Sequence, residues 1–139
     1  MTKILYVEDY EPQRDFMVWL LELHGGYEVG VACNGEEGVK KVREWHPDVV
    51  LMDIRMPGQV DGLAAIQQLR KGPDTMDVPI IVISALGGSE HKQQTLKAGA
   101  DAHLTKPVPI DDLFVAINRH LRQPSLSQDA FLDLAVERA

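Results

Sequence analysis

The chain has 139 residues, enough for one domain and too few for two comfortable ones. Its 45% hydrophobic and 25% charged content suits a globular protein with a buried core. Its net charge of −7 argues against a nucleic-acid binder, whose affinity rests on neutralising phosphates, and no stretch approaches the roughly 20 apolar residues of a membrane span.

The first apolar run, Lys3–Val7, stops at two acids, Glu8 and Asp9, too short and too soon for a signal peptide. A helical pattern follows, with Phe16, Leu20 and Leu23 at helical spacing and Gly25-Gly26 as its stop. A weaker strand covers Tyr27–Cys33. Cys33 is the single cysteine; it excludes an internal disulfide, fits a reducing compartment, and reads as a small buried apolar residue. Asn34 can cap the next helix, with Glu36 and Glu37 in its first turn, Lys40 and Lys41 later, and Pro47 ending it. Strands are predicted over Asp48–Met52, Pro79–Ser84 and Ala102–Thr105. Val49–Met52 and Ile80–Ile83 are continuous apolar runs, the pattern of strands covered on both faces of a parallel sheet. Between them a helix runs from about Gly62 to Lys71 and stops at Gly72-Pro73, and Ser89 can cap another that ends near Gly99. The last has Asp111 and Asp112 in its first turn and Leu113, Ile117 and Leu121 on one face. There is no internal repeat. The order βαβαβαβαβα implies right-handed crossovers and a parallel sheet between two helix layers, an α/β fold. The domain is expected over residues 1–122, with Gln123-Pro124-Ser125 opening a linker and tail over 123–139.

In an open parallel sheet the functional edge lies at the carboxyl ends of the strands. Here those ends carry Glu8 and Asp9, Asp53, Ser84, and Lys106 followed by Pro107. Three carboxylates brought within about 5 Å repel at about 3 kcal/mol per pair for an effective dielectric near 20. Such a cluster takes up protons or binds a cation, and all-oxygen ligands suit Mg²⁺ or Mn²⁺. A carboxylate can also act as nucleophile and form an aspartyl phosphate, with a metal, an ammonium and a hydroxyl neutralising the transferring group.

The motifs "ILYVED", "DVVLMDIRMPG", "PIIVISA" and "GADAHLTKP" resemble those of response-regulator receiver domains of the CheY-like family, over residues 3 to about 121. The resemblance implies a flavodoxin-like sheet of order 2-1-3-4-5, a cytoplasmic location, and phosphoryl transfer from a histidine of a sensor kinase or phosphotransfer protein to Asp53. It implies a metal pocket of Glu8, Asp9, Asp53 and the Arg55 carbonyl. It further implies a phosphate-following hydroxyl on Ser84, a phosphate-pairing Lys106, and a cis bond before Pro107. Asp101 is expected to shape the approach to the fifth strand rather than to bind metal.

Several positions depart from the family. His103 stands where a tyrosine or phenylalanine is common; it is either part of a modified, pH-sensitive switch or a contact for a partner. "MPGQVDGL" is one residue longer than usual, with Gln59 the insert and Val60 the apolar position. In the family the places of Arg55 and Leu86 influence water access to the phosphoryl group, and the small Ala85 is expected to keep its entry open. The expected output is phosphorylation-dependent binding of a downstream protein through the fourth helix, fifth strand and fifth helix, by a stand-alone receiver that acts on neither nucleic acid nor membrane directly. The alternatives are a truncated receiver of a larger regulator and a pseudo-receiver interaction module. The tail, with Phe131, Leu134 and Ala135 at helical spacing, either packs on the domain, mediates homodimer pairing, or begins a linker. A haloacid-dehalogenase-type phosphatase would need a second acid where Arg55 stands.

Overall fold

The computed structural model describes residues 1–54, 60–85 and 88–121. In chain order these form β1 (Lys3–Val7), α1 (Glu11–Gly25), β2 (Glu28–Ala32), α2 (Gly35–Trp45), β3 (Val49–Ile54), α3 (Val60–Lys71), β4 (Ile80–Ser84), α4 (Ser89–Ala98), β5 (Ala102–Thr105) and α5 (Ile110–His120). The strands pair in parallel in the order β2-β1-β3-β4-β5. This is the doubly wound, flavodoxin-like sandwich.

The strand pleat explains why the apolar runs are continuous. Leu5, Val7, Val50, Met52, Ile80 and Val82 face one helix layer and pack with Val39 and Val42 of α2 and Ile66 and Leu69 of α3. The residues between them, Ile4, Tyr6, Val49, Leu51, Ile81 and Ile83, face the other and pack with Leu21 of α1 and Leu113 and Ile117 of α5. A two-sided sheet needs both residues of every pair to be apolar, and each fully buried Leu, Ile or Val contributes about 1.5–3 kcal/mol.

Local signals set most helix ends. Glu37 N–H donates to the Asn34 side chain at 2.8 Å, while Cys33 N–H donates back to the Glu37 carboxylate at 3.2 Å, so two otherwise orphaned amides are satisfied together. Gly26 closes α1 in the left-handed region (φ 65°), and His46 does the same for α2 (φ 54°) just before Pro47.

Four expectations need correction. Cys33 is exposed: β2 ends one residue earlier, at Ala32, and the chain turns outward to cap α2. The inward stripe of α1 is Met17 and Leu21, whereas Phe16 and Leu23 are 58% and 63% exposed. α1 carries two overlapping apolar stripes, and only the sheet it crosses selects between them. Gly88, not Ser89, is the N-cap of α4; Ser89 is the first helical residue. β3 runs from Val49 to Ile54, two residues past Met52, so Asp53 is its last residue but one rather than its last. The expected boundary at Arg122, the linker and the tail lie outside the described residues. Among the described residues no helix is long and apolar enough to cross a membrane.

Candidate functional site

The register brings the carboxyl ends of the strands to one edge. Val7 pairs with Met52, Ile54 with Ser84, and Ser84 with Thr105, so the residues that follow β1 and β5 flank those ending β3 and β4. Lys106 is anchored there by its own amide, which donates to the Ser84 carbonyl at 2.7 Å. The Lys106–Pro107 peptide is cis, and Pro107 is exposed.

Asp53 is the centre of this edge. It is 5% exposed and receives three kinds of donor. Lys106 Nζ lies 2.9 Å from Oδ1 and 2.8 Å from Oδ2. The Tyr6 hydroxyl and the Gln13 side-chain amide each donate to Oδ2 at 2.8 Å. Charge-assisted bonds of this kind are the strong class of hydrogen bond, so the carboxylate is held in one orientation.

Glu8 is 1% exposed and bonded to Asp53. Burial, followed by that bond, pushes its carboxyl up to about 8, against the lowering effect of the Tyr10 amide, which donates to Oε1 at 3.0 Å. The protonated form of Glu8 is thereby favoured. Burial and the adjacent Asp53 charge likewise raise the Tyr6 phenol, which stays a donor. Carboxylate repulsion is thus relieved in two ways: protonation of Glu8 is favoured, and Asp53 is paired with an ammonium.

Asp9, exposed, adjoins Glu8 through a side-chain hydrogen bond. A small cleft of about 80 Å³ is lined by Glu8, Asp9, Asp53, Asn34 and Gly62 among others. Its three carboxylates offer oxygen donors, as a hard divalent cation requires. As it stands, however, no group of three His, Cys, Asp or Glu side chains among the described residues is arranged to hold a metal ion. The Arg55 carbonyl, the Gln59 insertion and the side chain of Leu86 lie outside the described residues.

Ser84 is fully buried at the end of β4, and its Oγ lies 2.9 Å from Nε2 of His91 on α4. Ala85, next to it, is exposed. His103 is half-buried on β5; its Nδ1 lies 2.9 Å from Thr95 Oγ1, and its ring meets that of His91 edge-on with centroids 5.3 Å apart. Asp101 stays away from the acidic edge. Its carboxylate accepts from Ile80 N–H at 2.8 Å and from Arg70 at 2.9 Å.

Sequence reasoning misses Tyr6, Gln13, His91 and Thr95. Tyr6 carries a usable signal, because it sits two residues before Glu8 and so shares its face of the strand. Gln13 and His91 reach the site from helix first turns, whose direction no local pattern encodes.

The model of the response regulator receiver domain matches residues 4–118. Protein PilH of Pseudomonas aeruginosa is 39% identical over 118 residues, which cover 85% of this chain and 96% of PilH. The DNA-binding dual master transcriptional regulator RpaA of Synechocystis is 32% identical over 88% of this chain, which spans only 50% of that protein's length. The receiver domain of sensor histidine kinase PA1611 from Pseudomonas aeruginosa, solved with a magnesium ion coordinated in its active-site cleft, superposes with a TM-score of 0.76 at 28% identity, covering 86% of this chain and 96% of that one. Fold, edge chemistry and these likenesses agree, and the chain belongs to the response regulator receiver domain family.

Proposed function

We propose that Asp53 accepts a phosphoryl group from a phosphohistidine of a sensor kinase or phosphotransfer protein. The observation that carries this reading is the Lys106 ammonium seated on both oxygens of a buried Asp53 at the carboxyl edge of the sheet. One Asp53 oxygen attacks phosphorus, the phosphorus–nitrogen bond breaks, and the imidazole leaves with the electron pair and takes up a proton. Lys106 holds the carboxylate for attack and then balances charge on the phosphoryl oxygens, and the Ser84 hydroxyl donates to one of them. Glu8, Asp9 and Asp53, with the Arg55 carbonyl, would hold Mg²⁺ or Mn²⁺, and the bound ion would neutralise charge on the transferring group. Self-phosphorylation from small donors and self-dephosphorylation by water use the same residues.

An apolar groove of about 810 Å³ opens beside Lys106 and Gln13, lined by Phe16, Leu20, Pro107 and Leu113 among others. A donor protein seated on it presents its phosphohistidine to Asp53. Output passes to a downstream protein through α4, β5 and α5, as a shift between two states of that face, and pairing of two copies is compatible with the same surface. In this reading the receiver occupies residues 1–122 and works in the cytoplasm.

Intact mass after incubation with Mg²⁺ and acetyl phosphate tests the reading. A phosphate-sized adduct on wild type but not on Asp53→Asn is expected. No adduct on well-folded protein from acetyl phosphate or from a panel of phosphorylated histidine kinases would leave a phosphate-independent interaction module.

A further inference from the structure

Ser84 is the hydroxyl assigned to the phosphoryl group, yet it already has a partner on another element. Its Oγ meets His91 Nε2 at 2.9 Å. His91 is the third residue of α4, and Thr95, one turn later on the same face, meets His103 of β5. The Thr95 hydroxyl donates to the Lys92 carbonyl at 2.9 Å, so its oxygen is left to accept from His103 Nδ1–H. The two imidazoles pack edge-on, at 86° between planes. α4 is therefore tied to the end of β4 through His91 in its first turn and to β5 through Thr95 one turn later, with the His91–His103 ring contact joining the two.

A serine hydroxyl has one proton. If it is given to His91 Nε2, it is not available to a phosphoryl oxygen, and turning Oγ toward Asp53 breaks the contact with α4. We infer that His91 is a positioning residue that holds the Ser84 hydroxyl on α4 in the unphosphorylated protein, so that phosphoryl binding at Asp53 must break the Ser84–His91 bond and thereby releases the first turn of α4. This rests on the reading of Asp53 as acceptor. It assigns α4 a direct side-chain link to the site and explains how the His91–His103 pair would carry the signal, since the output face changes when its histidine loses a partner.

The latch opposes phosphoryl binding by about the strength of one net hydrogen bond, so its removal should strengthen binding about three- to tenfold. The probe is beryllofluoride with Mg²⁺, a stable mimic of the aspartyl phosphoryl group, titrated into the full chain by calorimetry. His91→Ala should bind about three- to tenfold more tightly than wild type. His91→Gln, whose amide reaches the place of Nε2, should stay near wild type. In a Ser84→Ala background, His91→Ala should change affinity less than about twofold, which a general loosening of α4 would not reproduce. Should His91→Ala fold poorly, His91→Asn, too short to reach Ser84, serves in its place. Equal or weaker binding by the variant, or the same gain without Ser84, overturns the latch while the acceptor reading stands. No binding by folded wild type overturns both.

Discussion

The Tyr6 hydroxyl donates to Asp53 Oδ2 across 2.8 Å from between two apolar residues of β1, Leu5 and Val7. The contact spans two strands and is fully buried, which makes Tyr6 a fixed donor against the acceptor carboxylate. A bond to a charged group is worth about 1.5–3 kcal/mol, but Gln13 and Lys106 remain to cover Asp53 when it is lost. Tyr6→Phe, which keeps the ring, should therefore cost about 1–2 kcal/mol in denaturant unfolding. In an Asp53→Ala background the cost should fall below about 0.5 kcal/mol; an unchanged cost there would mean that the hydroxyl acts through its other partner, Glu8 Oε2 at 3.4 Å.

Glu8 makes stability depend on pH in the direction opposite to an ordinary paired acid. Its folded-state value, about 8, lies above its unfolded value of 4.5. The folded state thus holds an extra proton between these limits, and the stability it contributes is full below about pH 4.5 and is lost as pH rises to about 8. In chelator, wild type should lose on the order of 2 kcal/mol more than Glu8→Gln between pH 6 and pH 8, as read by urea unfolding. Parallel pH profiles for the two proteins would show that Glu8 is ionised throughout.

The sheet order and the edge that carries the site are legible in the sequence because both follow from strand alternation and strand ends. Val49–Met52 and Ile80–Ile83 suit strands covered on two faces, and Glu8, Asp53, Ser84 and Lys106 each follow or end an apolar run. What is not legible depends on how a helix is rotated. α1 offers Phe16 and Leu23 as well as Met17 and Leu21, and its spacing admits both stripes. The same ambiguity hides Gln13 and His91. For Cys33 one residue of strand length decides between core and surface. Charge repulsion alone says that the acid cluster needs either protons or a cation, and burial, a tertiary property, is what favours the proton on Glu8.

Lys106 balances a carboxylate that has almost no access to water: the Asp53 side chain is 0% exposed and the Lys106 side chain 24%. Removing the ammonium leaves Asp53 with neutral donors only. Breaking a fully buried pair costs about 3–5 kcal/mol, and the partial exposure of Lys106 reduces this to about 2 kcal/mol. Lys106→Met should show that loss in urea unfolding and slow phosphorylation by acetyl phosphate at least tenfold. Adding Asp53→Asn should recover most of the stability but none of the phosphorylation. A Lys106→Met protein as stable as wild type would mean that solvent already screens the pair.

Arg70 ties α3 to the approach to β5 with a planar fork that no other side chain supplies. Its Nε donates to the Gly99 carbonyl at 2.8 Å, Nη1 to the carbonyls of Val78 and Met76 at 2.6 and 3.0 Å, and Nη2 to Asp101 at 2.9 Å. Asp101 in turn accepts from Ile80 N–H, so one residue pair organises the starts of both β4 and β5. Arg70→Ala leaves those carbonyls and Asp101 to water where they can reach it and unsatisfied where they cannot, at a cost of about 2–3 kcal/mol. Arg70→Lys keeps the charge but not the fork and should recover less than half of that loss. Because the pair lies at the opposite end of the strands from Asp53, beryllofluoride affinity should change less than twofold in either variant. Full recovery by lysine would show that charge, rather than the bonded geometry, holds this corner together.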